Sequence, residues 1–434
     1  MSSTPLTERR YVAPFALITS LFFLWAIGVN LNDVLIKHMK KAFSLSDFQS
    51  SLIQSAFFGG YFLAALPAGR LMQRVGYKKG ILIGLLICAT GAFLFIPAST
   101  VRVYGCFLFA LFVMACGQCF LEVAANPYVT TLGPAPSAER RLNLAQSFNA
   151  LGAVTIVLLG SRFILSGIEH SAGELAAMTP AQLTAYQATE AGMVRLPYLV
   201  ITSLFLLVAA VIYFTRLPEI KEEAFGPVPE ARSGNIWTHR HLLKGVLAQF
   251  FYVGAQVGAA SFIIRLAQYS LPGTPEKIAA RYLQLHLVGF MIGRFAGSAM
   301  MKKVAAPRLL SIFAAGSLLA LLIVLASSGQ APVWAVVLLG FFHSIMFPTI
   351  FALGIRNLGP LTKLGSSLLV MSIIGGAICP AVMGVISDAT NIQAAFVVPL
   401  LCHAFIFYFA IWGYKPGAVP AGGPVMNVAS SEAE

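Results

Sequence analysis

The chain has 434 residues, of which 58% are hydrophobic and only 10% are charged, and its mean hydropathy is +0.81. This composition excludes an ordinary soluble globular domain and is typical of a protein with many membrane spans. The net charge of +13 does not indicate nucleic-acid binding, because the basic residues lie in short clusters between apolar runs, as in the loops of membrane proteins.

Segments long enough to span a bilayer, which takes about 20 apolar residues, follow one another along the whole chain. The sequence therefore predicts an all-α membrane protein with twelve transmembrane helices in two pseudo-symmetric six-helix bundles. The first six helices are predicted at residues 12–37, 48–72, 79–97, 102–131, 142–166 and 196–216. The second six are predicted at residues 242–270, 279–302, 308–328, 331–357, 363–388 and 391–413.

The longest charged, proline- and glycine-containing connection separates the two sets of helices. We therefore predict an N-terminal bundle at residues 1–216, a cytoplasmic linker at 217–241, and a C-terminal bundle with a short cytoplasmic tail at 242–434. Most lysines and arginines fall on the side of the membrane that carries both termini, which places the termini in the cytoplasm. Outside, the segment MTPAQLTAYQ predicts a short helix with Thr179 as its N-cap and Pro180 at its first position.

The first predicted helix contains the segment FFLWAIGVNLNDVL. Asn30 and Asp33 share a helix face, and Trp25 lies within about 80° of it. Carboxylate and amide groups beside an indole ring are suited to a sugar, whose hydroxyls need polar partners and whose C–H face stacks on aromatic rings. We predict sugar contacts for all three residues; alternatively, Asp33 forms an ion pair with Lys37 one turn later.

The fourth predicted helix places Glu122 in the middle of an apolar segment, with Gln118 and Asn126 on the same face and Pro127 next. An ionised carboxylate in hydrocarbon costs roughly 2.5 kcal/mol or more, so such a group is rare and usually functional. A carboxyl group in a medium of low dielectric constant also binds protons more readily than in water. Glu122 is therefore predicted to carry the coupling proton or to bind a ligand, an interhelical ion pair being the alternative.

The fifth predicted helix carries Asn143, Gln146 and Asn149 at every third position, so that they line one side of the helix. Amide side chains both donate and accept hydrogen bonds, which suits sugar hydroxyls. We predict ligand contacts for Gln146 and Asn149, and a lesser role for Asn143 near the membrane edge. Interhelical hydrogen bonds, worth about 0.6 kcal/mol each in a membrane, are the alternative.

The second half offers fewer polar candidates. Tyr252 and Gln256 share a face of the seventh predicted helix and are predicted to supply the second half of the site. Phe347, just before Pro348, is predicted to close the cavity. His343 occupies the position that corresponds to Glu122 if the halves are superposed on Pro127 and Pro348, and either an interhelical or a proton-relay role fits it.

Three arginines, at positions 162, 265 and 294, lie within predicted helices, and we expect them to form structural pairs or to extend toward the membrane surface. No HExxH, GxSxG or P-loop pattern occurs, so the sequence predicts neither an enzyme nor an ATP-driven pump. The CxxC formed by Cys116 and Cys119 is interpreted as apolar packing, and no cofactor or metal other than the coupling proton is expected.

Several longer segments carry a family resemblance. The loop GRLMQRVGYKK resembles the signature of the major facilitator superfamily, with Gln73 where an Asp is usual. The segments FFLWAIGVNLNDVL, LEVAANPYVTTLGP, RLNLAQSFNALG, YVGAQ, FPTIFALGIRNLG and VMSIIGGAICPAVMG resemble the fucose–galactose–glucose:proton symporter family, most closely its fucose branch. The similarity runs from the first to the twelfth predicted helix.

This resemblance implies alternating access of two bundles around a central monosaccharide, with proton coupling at Glu122 and a paired role for Asp33. It also implies a bacterial inner-membrane location, and we expect a monomer with no nucleic-acid partner. L-Fucose is the first choice of substrate. Glucose, galactose, mannose or N-acetylglucosamine remain alternatives, because two residues point in opposite directions. Phe347 stands where fucose permeases have a Tyr, whereas Glu122 stands where the glucose/galactose branch has a Gln. Uncoupled transport is a further alternative.

Overall fold

The computed structural model describes residues 4–43, 47–164, 174, 178–218 and 235–416. The side chains of residues 29–51 and 157–164, and of a few residues between 180 and 191, lie outside this description. Several predictions concern residues outside this description. They are the contacts of Asn30 and Asp33, the role of Arg162, most of the linker, and the C-terminal tail. The domain boundaries stay a prediction.

The predicted helices of the first half all appear, together with one outside the membrane spans. They are α1 (Val12–Phe43), α2 (Asp47–Val101), α3 (Tyr104–Thr131), α4 (Ala138–Ile164), α5 (Pro180–Gly192) and α6 (Arg195–Phe214). Helix α2 contains two predicted spans that meet at Gly76, whose φ of 81° and ψ of 175° are not helical. The side chain of Met72 lies against Gly80, so the chain folds back at Gly76 between them.

The second half also contains its predicted helices, but short turns divide its later spans into two helices each. Its elements are α7 (Arg240–Ser270), α8 (Glu276–Met300), α9 (Ala306–Ala326), α10 (Gln330–His343), α11 (Met346–Gly354), α12 (Thr362–Met371), α13 (Gly375–Ala389) and α14 (Val397–Tyr408), the last followed by a π-helical turn at Phe409–Gly413. The predicted spans at 331–357 and 363–388 each correspond to one helical stretch long enough to cross a membrane, Gln330–Gly354 and Gly359–Ala389, and a short turn interrupts each of them.

The break between α10 and α11 has a local cause. Pro348 has no backbone N–H, so it cannot donate to the carbonyl of Ser344 four residues earlier. In the turn before it, the carbonyl of Phe341 accepts hydrogen bonds from the backbone N–H of Ser344 at 3.3 Å and from the Ser344 hydroxyl at 2.6 Å. The break between α12 and α13 coincides with a 3-10 turn at Ser372–Ile374 followed by two glycines, which are poor helix formers.

The described part of the chain contains nine helical stretches that are long and apolar enough to cross a membrane. One of them, Leu52–Val101, has 50 residues, and at 1.5 Å per residue this is enough for two spans. Helix α5 has the predicted cap: the backbone N–H of Gln182 donates to Thr179 Oγ1 at 3.3 Å, and that of Thr179 donates to Gln182 Oε1 at 2.9 Å.

The two halves meet along a few helices. Helix α4 packs on α8 and α11, while α2 and α3 pack on α12. Of the polar residues predicted for the first half, Glu122, Gln146 and Asn149 lie on α3 and α4. The interface between the halves therefore receives them and is the place to look for a site.

Candidate functional site

A cavity of about 230 Å³ lies at the interface of the two halves. Helices α3 and α4 form one side of it, and α7, α8 and α11 form the other. Its wall consists of Glu122, Gln146, Asn149, Ala150, Ala153, Val154, Gln256, Leu287, Phe290, Arg294 and Phe347. Five of the predicted site residues, Glu122, Gln146, Asn149, Gln256 and Phe347, are thus brought together around one space.

Among the described residues, Glu122 is the only acid of this wall. Its side chain is 9% exposed, and its Oε2 atom has no hydrogen-bond partner among the described residues. Gln118 and Asn126, one turn away on either side, are fully buried. The carboxyl group therefore lies at the boundary between a closed protein interior and the cavity, where a proton or a ligand can reach it.

A chain of hydrogen bonds crosses the cavity wall from one half to the other. Arg294 Nη1 donates to the carbonyl oxygen of Gln146 at 2.8 Å and to its Oε1 atom at 2.9 Å. Gln146 Nε2 then donates to Asn126 Oδ1 at 3.0 Å. Because a guanidinium group can only donate, this chain fixes which end of each amide is the oxygen.

Arg294 is the site residue that the sequence analysis missed. It is 5% exposed, its guanidinium group lies 4.7 Å from the ring centre of Phe290, and it interacts electrostatically with Glu122. Its position in the middle of a span was the available signal, because a cation there is costly and is usually functional. Treating the three intramembrane arginines alike obscured it.

Two predicted site residues lie outside the cavity wall. Trp25 is 1% exposed and packs on Phe22 with ring centres 4.4 Å apart. Tyr252 is fully buried behind Phe347, with ring centres 6.3 Å apart, and its hydroxyl has no partner among the described residues. Sugar contact by these two residues stays a prediction.

His343 points into its own bundle. Its Nε2 atom lies 3.0 Å from Nε2 of His403 on α14, and both rings are fully buried. Since His403 Nδ1 lies 2.8 Å from the carbonyl of Pro399, that nitrogen carries the proton, and His343 Nε2–H must donate to His403. The pair ties α10 to α14 and takes no part in the cavity wall.

On the side of the cavity where α4 begins, polar contacts join the halves. Asn143 Nδ2 donates to Thr349 Oγ1 at 3.1 Å, and the Ser366 hydroxyl donates to the carbonyl of Val123 at 2.9 Å. Farther out, Arg356 and Glu139 form an ion pair. The cavity is therefore closed on this side by direct contacts between the two halves.

The donor and acceptor groups of the wall suit a neutral polyhydroxyl ligand. The amides of Gln146, Asn149 and Gln256 can donate and accept, and the rings of Phe290 and Phe347 offer apolar surfaces. In the described part of the chain no group of three or more His, Cys, Asp or Glu residues could hold a metal ion. Among the described residues, the wall thus combines one acid, one buried cation and hydrogen-bonding groups suited to an uncharged solute.

Comparison with known sequences gives a consistent result. The family model described as the Major Facilitator Superfamily matches residues 18–368. The chain is 45% identical to the L-fucose-proton symporter of Escherichia coli over 409 residues, which is 93% of each chain. It is 40% identical to a glucose/galactose transporter of Brucella abortus over 410 residues, covering 94% of this chain and 96% of that protein.

Comparison with solved structures agrees. A crystal structure of the E. coli fucose:proton symporter matches with a TM-score of 0.85 at 44% identity, covering 93% of this chain and 98% of that one. A second crystal structure, of the same transporter in the outward conformation, has the same TM-score and identity and 99% coverage of its chain. Sequence and fold therefore point to the same group of proteins.

Proposed function

This chain belongs to the major facilitator superfamily, and we propose that it is a proton-coupled symporter that imports a monosaccharide by alternating access. The observation that carries the proposal is Glu122, an acid with a buried, unpartnered Oε2 atom that borders a cavity lined also by amides, aromatic rings, aliphatic side chains and Arg294. The transport cycle would be performed by the two bundles around this cavity, without a cofactor or an enzymatic step.

Coupling follows from the charge balance of the cavity. With Glu122 ionised, its charge is balanced by Arg294 across the space between the halves. With Glu122 protonated, the Arg294 guanidinium group loses this counter-ion, and the acid can donate a hydrogen bond to a hydroxyl. Sugar binding and proton binding would then favour each other, which is the condition for symport.

Sugar recognition is assigned to the amides of Gln146, Asn149 and Gln256, with Phe347 closing the cavity. We propose further contacts from Trp25, Asn30, Asp33 and Tyr252, with Asp33 also taking part in coupling. L-Fucose is the first choice of substrate, supported by the identity to the E. coli relative. Glucose or galactose is the second candidate, supported by the 40% identity to the Brucella transporter.

We place the protein in a bacterial inner membrane as a monomer with both termini in the cytoplasm. The distribution of lysine and arginine supports this orientation of the termini. In this orientation the contacts of Asn143 and Glu139 with the second half, and of Ser366 with Val123 of the first half, close the cytoplasmic side. The arrangement would then correspond to a state that receives sugar from outside.

The test is sugar-triggered proton uptake. Purified protein is reconstituted in weakly buffered vesicles, and external pH is recorded after addition of L-fucose, D-galactose, D-glucose, D-mannose or N-acetylglucosamine. We expect alkalinisation with one of these sugars, and none after a protonophore or in protein-free vesicles. Entry of labelled sugar without any pH change would show that the protein is an uncoupled facilitator.

A further inference from the structure

The closed cytoplasmic side contains buried amides that the central cavity does not use. Asn126, Asn143 and Gln249 are each at most 1% exposed. Asn126 Nδ2, Asn143 Oδ1 and both polar atoms of the Gln249 amide have no hydrogen-bond partner among the described residues. We call these three residues the inner amide layer.

The first-half members lie directly below the cavity wall. Asn126 is one turn, or about 6 Å, along α3 from Glu122 and accepts a hydrogen bond from Gln146 of the wall. Asn143 is about 4.5 Å along α4 from Gln146 and donates to Thr349 of the second half at 3.1 Å. Both amides therefore lie between the cavity and the cytoplasm, close to the contact that holds the halves together.

The second-half member has the same depth on α7. Gln249 is seven residues before Gln256, a difference of only about 20° around the helix, so it lies on the face that carries the cavity residue, about 10 Å nearer the cytoplasm. Contacts on either side of it confirm that this face meets α11: Tyr252 lies against Phe347, and Gly245 lies against Gly354.

A buried amide atom without a partner is unfavourable, because it loses its bond to water and gains none in return; Gln249 has two such atoms, and Asn126 and Asn143 have one each. A neutral apolar side chain would serve better if these positions only had to pack. The amides become useful when the halves separate on the cytoplasmic side, since each then presents free donors and acceptors to the path along which the solute leaves. Their chemistry, like that of Gln146 and Asn149, matches hydroxyl groups and carries no charge.

We propose that the inner amide layer is a second monosaccharide-binding station, formed when the bundles open to the cytoplasm and occupied by the sugar between the central cavity and release. This inference rests on the proposed transport of a sugar through the cavity. The station receives the hydroxyls of the sugar as they leave Gln146 and Gln256. Its ligand is the transported monosaccharide itself.

The experiment compares transport from the two sides. KM is measured at zero driving force for sugar entry from the outer side and, in inside-out vesicles, from the cytoplasmic side. We expect Gln249→Met to raise the cytoplasmic KM about five-fold, the factor for loss of one neutral hydrogen bond, with the outer KM unchanged. The matched control, Gln256→Met on the same face of α7, should raise both constants because Gln256 lines the central cavity.

Other outcomes overturn the proposal. If the Gln249→Met variant keeps both constants, the inner amide layer binds only water; if both rise together, Gln249 belongs to the central site. If the cytoplasmic constant rises while the outer one falls in proportion, the substitution has only shifted the conformational equilibrium. A wild type that transports no sugar removes the proposed function itself, whereas normal wild-type transport with any of these three results removes only the second station.

A folding control accompanies the measurement. Because the Gln249 amide has no described partner, Gln249→Met should unfold in detergent at the same temperature as the wild type or higher. Asn126→Leu tests the first-half side of the layer. Because it also removes the acceptor of Gln146 Nε2, we expect both constants to rise, the cytoplasmic KM by the larger factor. An equal rise in both constants, or no rise, in a well-folded Asn126→Leu variant would also contradict the station.

Discussion

Glu122 and His343 occupy corresponding positions in the two halves, yet their surroundings differ. Glu122 on α3 borders the cavity and has an unpartnered Oε2 atom, whereas His343 at the end of α10 is fully buried and bonded to His403. The cation that faces Glu122 across the cavity comes instead from Arg294 on α8. Pseudo-symmetry thus relates the positions of the helices, and the polarity of each local environment determines what a residue can do.

Neutralising Glu122 should have the largest effect on transport. We expect Glu122→Gln to remove sugar-driven proton uptake and accumulation while sugar exchange across the membrane continues. A one-proton symporter can concentrate sugar up to about 50-fold at 100 mV, so the accumulation ratio should fall from such a value to about one. Uptake of labelled sugar under an imposed potential measures it, and retained accumulation would assign coupling to another residue.

Substitution of Arg294, the counter-charge of Glu122, should have the next largest effect. Arg294→Met removes the donor to Gln146 and leaves Glu122 without its counter-charge, so initial uptake should fall roughly 10- to 100-fold. Arg294→Lys keeps the charge but loses the planar fork and should give an intermediate rate. Arg265→Met is the matched control: Arg265 is exposed and lies 4.1 Å from the ring centre of Phe262, so uptake should stay within about two-fold. Equal losses in both Met variants would refute a site role for Arg294.

Substitutions at His343 and its partner His403 should lower stability and leave coupling intact. His403→Phe leaves His343 Nε2–H buried without its acceptor, which should lower the free energy of unfolding by about 1–3 kcal/mol. The double variant His343→Phe with His403→Phe removes both polar partners and should recover part of this loss. Thermal unfolding in detergent checks both, and a changed proton-to-sugar ratio in either variant would give the pair a role in coupling.

Much of this arrangement could be predicted because membrane helices leave a strong signal. Apolar runs predicted the spans, and the rarity of polar groups within them identified Glu122, Gln146, Asn149 and Gln256, all of which line one cavity. Periodicity indicates which residues share a face but not which neighbouring helix covers that face. For that reason Tyr252, on the same face as Gln256, lies behind Phe347 and outside the cavity wall.

Other features depend on contacts between distant segments. The division of the tenth span depends on how Ser344 and Pro348 satisfy the local backbone, which composition alone does not reveal. Arg294 reaches the cavity because α8 packs on α4 and brings its guanidinium group to Gln146, 148 residues away in sequence. Long side chains can point in several directions, so such a pairing follows only from the packed helices.

The smallest expected effect lies at the cytoplasmic edge, where the two halves are joined through charge. Glu139 is largely buried and Arg356 is partly exposed, and an ion pair near the surface is typically worth up to about 1 kcal/mol. Glu139→Gln should therefore shift the equilibrium toward the state open to the cytoplasm by less than about five-fold. The outer KM should rise and the cytoplasmic KM should fall, so that their ratio changes by that factor. Exchanging the two residues, Glu139→Arg with Arg356→Glu, should restore both constants if charge attraction between the halves is the cause. This change of both constants in opposite directions differs from the change of the cytoplasmic KM alone that is expected for Gln249→Met. The two variants therefore distinguish a contact that closes the path from a group that binds the sugar within it. A change of the cytoplasmic KM alone in Glu139→Gln would place Glu139 on the release path as well.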